Sequence, residues 1–275
     1  MADWQSGDVA VNGLRLHYTR TGGDMPPVVL AHGFSDDGLC WTPVARLLEA
    51  DYDVVMVDAR CHGRSDAPAT AYRLTDMADD LAGVIQGLGL EKPVVMGHSM
   101  GGATAYALAG AYPDLPRAII IEDAGALNMG AARPDRAAWL EQRRQSLIQL
   151  KQKTREQLIA DERAASPLWS DEELGPWADS KLRLSLNVLN RLDEPPVDWQ
   201  AIITKITCPA LLLTADTERG AMVSAGHATE LRQLMPQLRV VNVPGAGHNI
   251  RREQFGRFME TVRGFLAEVT ETAAP

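Results

Sequence analysis

The sequence predicts an α/β protein with a mostly parallel central sheet of about eight strands, helices on both faces and an inserted helical cap. Three observations lead to this fold class. Short apolar runs alternate with helical segments, as in sheets covered on both faces. Residues 97–101 place a serine between two glycines where one such run ends. Over residues 127–199 the alternation stops and only helical segments follow.

The predicted strands are short and apolar, as expected of strands that are buried on both faces. They are residues 9–11, 14–19, 28–31, 54–57, 94–96, 118–121, 210–214 and 239–243. Asn12-Gly13 separates the first two and predicts a β-hairpin with a primed turn. Helices between the strands are indicated by apolar residues at helical spacing, and the clearest stripe is Phe255, Phe258, Met259, Val262, Phe265, Leu266 and Val269.

Ser99 lies between the strand at 94–96 and a run of helix formers that begins at Ala103. A strand that turns directly into a helix at this spacing forces the middle residue into positive φ and aims its side chain at the helix N-terminus. Gly97 and Gly101 keep the flanking positions small. We therefore predict that Ser99 is a nucleophile, and the alternative is a chance pattern in a Gly-rich sequence.

These residues, with two further segments in the same order, resemble the α/β-hydrolase fold superfamily over nearly the whole chain. Within it, Glu218 in the segment 214–223, in a chain of this length, is similar to the small bacterial serine esterases and N-acyl-homoserine lactonases. One of the two further segments is His32-Gly33-Phe34-Ser35 after the third strand. The other runs from Asp58 to Asp66 and is similar to the D-x-R-G-x-G-x-S pattern of the family, with Cys61 in place of the usual glycine. If that position requires positive φ, a cysteine costs about 1 kcal/mol or more.

The resemblance implies an oxyanion hole. In the family the His-Gly segment bends the backbone so that the next residue, here Phe34, offers its N–H to the reacting oxygen, and the Met100 N–H is the second donor. Two such donors could each contribute roughly 10²- to 10³-fold to the rate. An ordinary turn after a strand is the alternative for the segment around Phe34.

A serine hydroxyl is barely ionised at neutral pH, so Ser99 needs a base beside it. His248, in the loop after the last strand, occupies the place of the histidine in the resembled family. Its imidazole needs a carboxylate, and Asp123, Asp216 and Glu218 all follow strands at the correct sheet edge. The family pattern beyond the seventh strand favours Glu218, while Asp216 and Asp123 remain open.

The predicted cap comprises residues 127–199, and residues 1–126 and 200–275 form the core domain. The superfamily usually inserts its cap at this point in the chain. We predict one cap helix over residues 179–192, although alternating leucines there also fit a strand. Three tryptophans are candidates for an acyl-binding pocket, with packing inside the cap equally open for each: Trp139, Trp169 and Trp177.

Composition bounds the class of protein. The formal net charge of -9 and the pI of about 5.2 disfavour nucleic acid and anionic membranes as partners. Three cysteines without metal-ligand spacing indicate neither a disulfide framework nor a zinc site. The sequence shows no signal peptide or membrane span, so we expect a cytoplasmic protein.

The predicted reaction is hydrolysis of a small-molecule carboxylic ester or lactone through an acyl-enzyme on Ser99, with N-acyl-homoserine lactones as one substrate class. No metal or organic cofactor is expected. A serine at the elbow excludes the haloalkane dehalogenase and epoxide hydrolase branches, which have aspartate there. Three alternatives stay open: a carbon–carbon bond hydrolase, a cofactor-free perhydrolase, and a non-catalytic ligand receptor on the same fold.

Overall fold

The computed structural model describes residues 4–124, 135–194 and 197–271, without the side chains of 136, 192 and 193. Its strands are β1 Gln5–Val11, β2 Leu14–Arg20, β3 Pro27–Ala31, β4 Asp53–Val57, β5 Val94–His98, β6 Ala118–Glu122, β7 Ala210–Thr214 and β8 Leu238–Asn242. They form a single eight-stranded sheet in the order β1-β2-β4-β3-β5-β6-β7-β8. The predicted number of strands is confirmed. Each predicted strand overlaps an observed one, and their ends differ by four residues at most.

The sheet is antiparallel only at one edge. Strands β1 and β2 form the predicted hairpin, with Asn12 at φ 52° and Gly13 at φ 77°, as a primed turn requires. Strand β2 pairs antiparallel with β4, and β3 to β8 are parallel to one another. The carboxyl ends of β3 to β8 therefore meet at the same edge, and ligands bind at this edge in open α/β sheets.

Helices cover both faces of the sheet. The α-helices of the described residues are α1 Thr42–Leu48, α2 Leu74–Gly87, α3 Met100–Ala111, α4 Arg136–Lys151, α5 Arg155–Ala165, α6 Asp171–Arg183, α7 Trp199–Ile203, α8 Ala225–Leu234, α9 Ile250–Glu253 and α10 Phe255–Glu271. Helices α2, α3 and α8 pack on one face and α1 and α10 on the other. Successive β3 residues alternate between these two cores, Val29 on one and Val28 and Leu30 on the other, because strand side chains point to opposite faces.

Helices α4, α5 and α6 lie between β6 and β7, in the segment predicted as the cap. The predicted continuous helix over residues 179–192 is wrong. Helix α6 begins after Ser170 with three acidic residues in its first turn, a stronger N-terminal signal than Asp179-Ser180. It ends at Arg183, and a separate 3₁₀ helix spans Leu186–Asp193. Leu184 between them has ψ 128°, which no helix can continue through.

None of the helices in the described parts of the chain is long and apolar enough to cross a membrane.

Candidate active site

Ser99 sits at a strained corner between β5 and α3, with φ 52° and ψ -112°. The close approach of strand and helix explains the two flanking glycines. A Cβ atom on Gly97 would lie 2.3 Å from the backbone of Gly101, and one on Gly101 would lie 2.1 Å from the carbonyl oxygen of Ala31. Only glycine fits at either position, and the serine is held out of the sheet at the N-terminus of α3.

His248 lies in the loop between β8 and α9, and its Nδ1 atom is 2.7 Å from Oδ2 of Asp123. Asp123 is fully buried at the end of β6 and also accepts the backbone N–H groups of Met222, at 2.8 Å, and Val223, at 3.0 Å. Three donors to one buried carboxylate fix its orientation. The Asp123 carboxylate in turn holds the imidazole with its proton on Nδ1, which leaves Nε2 as the proton acceptor.

The structure corrects the sequence prediction for the carboxylate. Glu218 lies in the exposed 3₁₀ turn Thr217–Arg219 and makes no contact with His248 among those described. The alternative Asp123 occupies the predicted position. Counting residues beyond β7 could not show this, because Asp123 reaches the ring only through a positive φ of 41° at the end of β6.

Asp216, the remaining alternative, supports the histidine loop without contacting the ring. Its Oδ2 atom accepts the N–H of Gly245 at 2.7 Å, and its own N–H donates to the carbonyl of Ala246 at 3.0 Å. Glu253 accepts the N–H of Gly247 at 2.8 Å. These contacts restrain the backbone directly before His248.

The predicted oxyanion donor Phe34 follows Gly33 in a turn. Contacts to the Gly33 carbonyl hold the peptide plane between these two residues. The Gly33 carbonyl accepts the N–H of Asp36 at 3.1 Å and contacts Nδ1 of His32 at 2.8 Å. Because Nε2 of His32 accepts the N–H of Ala59 at 3.0 Å, Nδ1 carries the ring proton and donates. In a trans peptide the N–H points away from the carbonyl, so the Phe34 N–H is directed away from His32.

The same turn lies close to the elbow. A Cβ atom on Gly33 would be 3.8 Å from the Cβ atom of Ser99. Met100 is the first residue of α3, so its N–H has no partner within the helix. The two predicted donors, Phe34 and Met100, thus belong to two segments that both border Ser99.

His98 supports the loop that carries His248. Its Nε2 atom donates to the carbonyl of His248 at 3.0 Å, and the two rings lie 4.7 Å apart between centroids. Burial lowers the pKa of His98 well below its usual value, with Arg251 and His248 acting in the same direction. The ring is therefore neutral, and its Nε2 proton ties the backbone of residue 248 to the end of β5.

A cluster of oppositely charged side chains is buried around these loops. Its members are Asp36, Glu122, Glu173, Lys181, Arg251 and Arg252. Arg251 pairs with Glu122 at 2.9 Å, next to Asp123 in sequence, and Arg252 pairs with Glu173 of α6 at 2.9 Å. The sequence analysis missed this cluster. Its one visible signal was the placement of charged residues directly beside apolar residues and the candidate histidine, as in Arg251 and Arg252 after His248-Asn249-Ile250.

The tryptophans predicted for an acyl pocket differ in their contacts. Trp177 and Trp169 pack edge to face at 6.2 Å within the cap, and Arg252 lies 4.4 Å from the Trp169 ring centroid. These contacts favour the packing alternative for both residues. Trp139 of α4 stacks with Arg143, and its place in a substrate pocket remains a prediction.

An apolar cluster adjoins the turn of Phe34 instead. Phe34 packs against the buried residues Cys61, Tyr72, Leu147, Leu184, Val188 and Leu189, which come from both core and cap. Cys61 has φ 70°, so the position that is usually glycine does require a left-handed backbone. Burial raises the pKa of the Cys61 thiol, which makes it a poor nucleophile.

In the described ranges no group of three or more His, Cys, Asp or Glu side chains is arranged to hold a metal ion.

Comparison with known proteins identifies the family. Residues 26–251 match the family model described as the alpha/beta hydrolase fold. Because this match covers most of the chain, the protein belongs to the α/β-hydrolase fold family, and the predicted fold class is confirmed.

Two relatives align over nearly their full length. N-formylmaleamate deformylase of Pseudomonas putida is 29% identical over 264 residues, which cover 94% of this chain and 96% of the relative. The 2-(acetamidomethylene)succinate hydrolase of Mesorhizobium japonicum is 28% identical, with 90% of each chain covered. The first relative is named a deformylase and the second a hydrolase.

Solved structures show the same fold. N-formylmaleamic acid deformylase from Pseudomonas putida S16 superposes with a TM-score of 0.80 at 25% identity, covering 94% of this chain and all of that one. A thermophilic esterase from Thermogutta terrifontis gives a TM-score of 0.76 at 26% identity, covering 96% and 99%. An enzyme that degrades N-acyl homoserine lactones gives 0.76 at 22% identity, covering 94% and 100%, and shares the fold.

Proposed function

We propose that the protein is a serine hydrolase that transfers an acyl group to water through Ser99, His248 and Asp123. The contact of 2.7 Å between His248 and Asp123 carries this proposal. It joins two residues 125 positions apart. The pair lies at the sheet edge where Ser99 leaves β5, so the three proposed residues follow three strands that end at the same edge of the sheet.

The chemistry follows from the roles of these groups. His248 Nε2 takes the Ser99 proton as Oγ attacks the substrate carbonyl, and the oxyanion accepts the N–H groups of Phe34 and Met100. The imidazolium, balanced by Asp123, gives its proton to the leaving group, and the acyl-enzyme remains on Ser99. Water, deprotonated by the same ring, then releases the acid and restores the serine.

Carboxylic esters or lactones are the substrate class we propose first. The apolar cluster around Phe34 offers a surface for an acyl chain beside the oxyanion turn. The predicted cap, residues 127–199, would cover the acyl chain of the substrate. The esterase likeness supports an ester substrate, and N-acyl-homoserine lactones are a narrower member of the same class.

An N-acylated acid is the second candidate. The relatives from Pseudomonas putida and Mesorhizobium japonicum, aligned over nine-tenths or more of their length, are named for a formylmaleamate and an acetamidomethylene succinate. Their substrates differ from esters in the group that leaves the carbonyl. The triad chemistry is otherwise the same, with His248 protonating a nitrogen in place of an oxygen.

A single panel separates these candidates. Purified protein is assayed by pH-stat against p-nitrophenyl esters, N-acyl-homoserine lactones of several chain lengths and N-formylmaleamate, with Ser99→Ala as the matched control. We expect turnover of at least one class, loss of all turnover in Ser99→Ala, and labelling of the wild type by a fluorophosphonate. Activity that survives Ser99→Ala would refute the proposal, and failure to label would favour a ligand receptor.

A further inference from the structure

The turn formed by residues 33–37, here called the oxyanion turn, is held by the cap as well as by the core. Lys181 of cap helix α6 donates through Nζ to the carbonyl of Ser35 at 2.8 Å and to Oδ1 of Asp36 at 2.7 Å. Ser180 adds a contact of 3.3 Å to the same Ser35 carbonyl. A cap residue therefore grips the turn that presents Phe34.

Asp36 links the contacts with Lys181 to the peptide that carries the Phe34 N–H. Its carboxylate is also held by Arg252 at 3.0 Å and Arg251 at 3.4 Å. Burial alone would raise the pKa of Asp36, but Arg252, Lys181 and Arg251 outweigh it and hold the pKa well below its usual range. The backbone N–H of Asp36 donates to the Gly33 carbonyl, on the peptide plane that carries the Phe34 N–H. Displacement of Asp36 would thus rotate that plane.

Lys181 is committed to these contacts. Its side chain is 2% exposed. Its ammonium lies 4.9 Å from the Trp177 ring centroid, inside the cap, and its donors point to Ser35 and Asp36. Holding a lysine in this environment costs desolvation free energy that a purely apolar contact would avoid. The side chain does not touch Ser99 or His248 in any described contact.

We propose that Lys181 is a positioning residue for the oxyanion hole, so that the cap contributes to turnover and not only to substrate binding. The inference rests on the proposed serine hydrolase function. It predicts that loss of Lys181 lowers kcat while KM is preserved, because substrate contacts remain and only transition-state stabilisation is weakened.

The test uses the full-length protein and whichever ester is turned over. Lys181→Met removes the charge and all donors at nearly constant length, and Lys181→Gln keeps one donor for the Ser35 carbonyl. The matched control is Arg155→Met in α5. It removes an exposed cation that pairs at 2.6 Å with Asp179 of α6, the helix that carries Lys181. Titration with a fluorophosphonate gives the number of reactive serines, so that kcat is expressed per active site.

We expect kcat to fall about 10- to 100-fold in Lys181→Met, less in Lys181→Gln, and less than twofold in Arg155→Met. KM should stay within about twofold, and binding of phenylboronic acid, which forms a tetrahedral adduct with the serine, should weaken in parallel with kcat. The midpoint of the pH–rate profile should not move, because His248 and Asp123 are untouched.

Several outcomes would overturn the inference. They are an unchanged kcat per active site in Lys181→Met, a rise in KM with kcat preserved, and an equal loss in Arg155→Met, which would mean that any loosening of the cap has this effect. If Lys181→Met does not fold, Lys181→Gln is judged by the same criteria. Failure of the proposed function is seen separately, as activity retained in Ser99→Ala.

Discussion

The inner and outer helices of the cap are attached to the molecule by different forces. Inner helix α6 meets the core through buried charges, with Lys181 2% exposed and Glu173 3% exposed, each paired with a core residue. Outer helix α5 packs Leu158 against Trp177 and Ala178 of α6, and its ion pairs lie in solvent. In the pair between Arg163 and Asp171 the side chains are 57% and 81% exposed.

The difference shows which helix of the predicted cap is held most firmly against the turn of residues 33–37. An exposed ion pair contributes about 0–1 kcal/mol and tolerates movement, since solvent screens it. A buried pair leaves an uncompensated charge when one partner is lost, so its geometry is strongly enforced. Helix α6 is therefore tied to the oxyanion turn by buried charge pairs, whereas α5 reaches α6 through Leu158 and exposed ion pairs.

The largest effect on kcat should come from the carboxylate that contacts His248. Asp123→Asn keeps the shape of the side chain but favours the wrong tautomer of His248, so kcat should fall about 10⁴-fold. The matched control is Glu218→Gln, which removes a carboxylate from the exposed turn after β7 and should leave kcat unchanged. Steady-state kinetics on both variants, normalised to folded protein, make the comparison. A larger loss in Glu218→Gln would restore the sequence-based choice.

A methyl group at the elbow should damage folding more than any change in the outer cap. In Gly101→Ala the new Cβ atom would meet the Ala31 carbonyl at 2.1 Å, and we expect a loss of about 3 kcal/mol or more of unfolding free energy.

Gly264→Ala is the matched control for the elbow substitution. Gly264 lies in α10 with nothing within 4 Å of the added atom, so a gain of up to about 1 kcal/mol is expected from helix propensity. Urea unfolding followed by circular dichroism measures both variants. Equal stability of the two would contradict the steric account of the elbow.

His98 makes the unfolding free energy of the protein depend on pH. Its pKa is lowered in the folded protein, so below about pH 6.5 the unfolded chain binds a proton that the folded chain does not. The unfolding free energy should therefore fall as the pH drops, and His98→Asn should reduce this slope by about 1.4 kcal/mol per pH unit. His62, whose pKa burial lowers to about 3, keeps its own contribution in both proteins. Unfolding at several pH values between 4.5 and 7.5 gives the two slopes, and identical slopes would refute the assignment.

The smallest effect is expected at the outer cap. Arg163→Ala removes the exposed partner of Asp171, so the unfolding free energy should change by less than about 1 kcal/mol and kcat should be unaffected. Thermal unfolding and the ester assay measure both quantities. A loss of kcat comparable to that of Lys181→Met would erase the distinction between inner and outer cap.

Most of the fold was predictable because it depends on local patterns. Buried parallel strands need unbroken apolar runs, a primed turn needs residues that tolerate positive φ, and the elbow needs small neighbours, so Asn12-Gly13 and Gly97 to Gly101 carry their own evidence. The helix at 179–192 was wrongly predicted because its leucines fit two periodicities. Neither periodicity continues through the segment, because Leu184 has ψ 128° and separates α6 from the 3₁₀ helix.

The sequence by itself determined the strand order along the chain, the strained serine and the histidine loop, since each is specified by residues a few positions apart. Only the tertiary structure decided which carboxylate meets His248 and that Lys181 meets Asp36. Those choices depend on where side chains 125 and 145 positions apart come together, and on which of several acids is buried with donors around it. The cost of burying an unpaired charge selects the partner, and that cost exists only once the chain has folded.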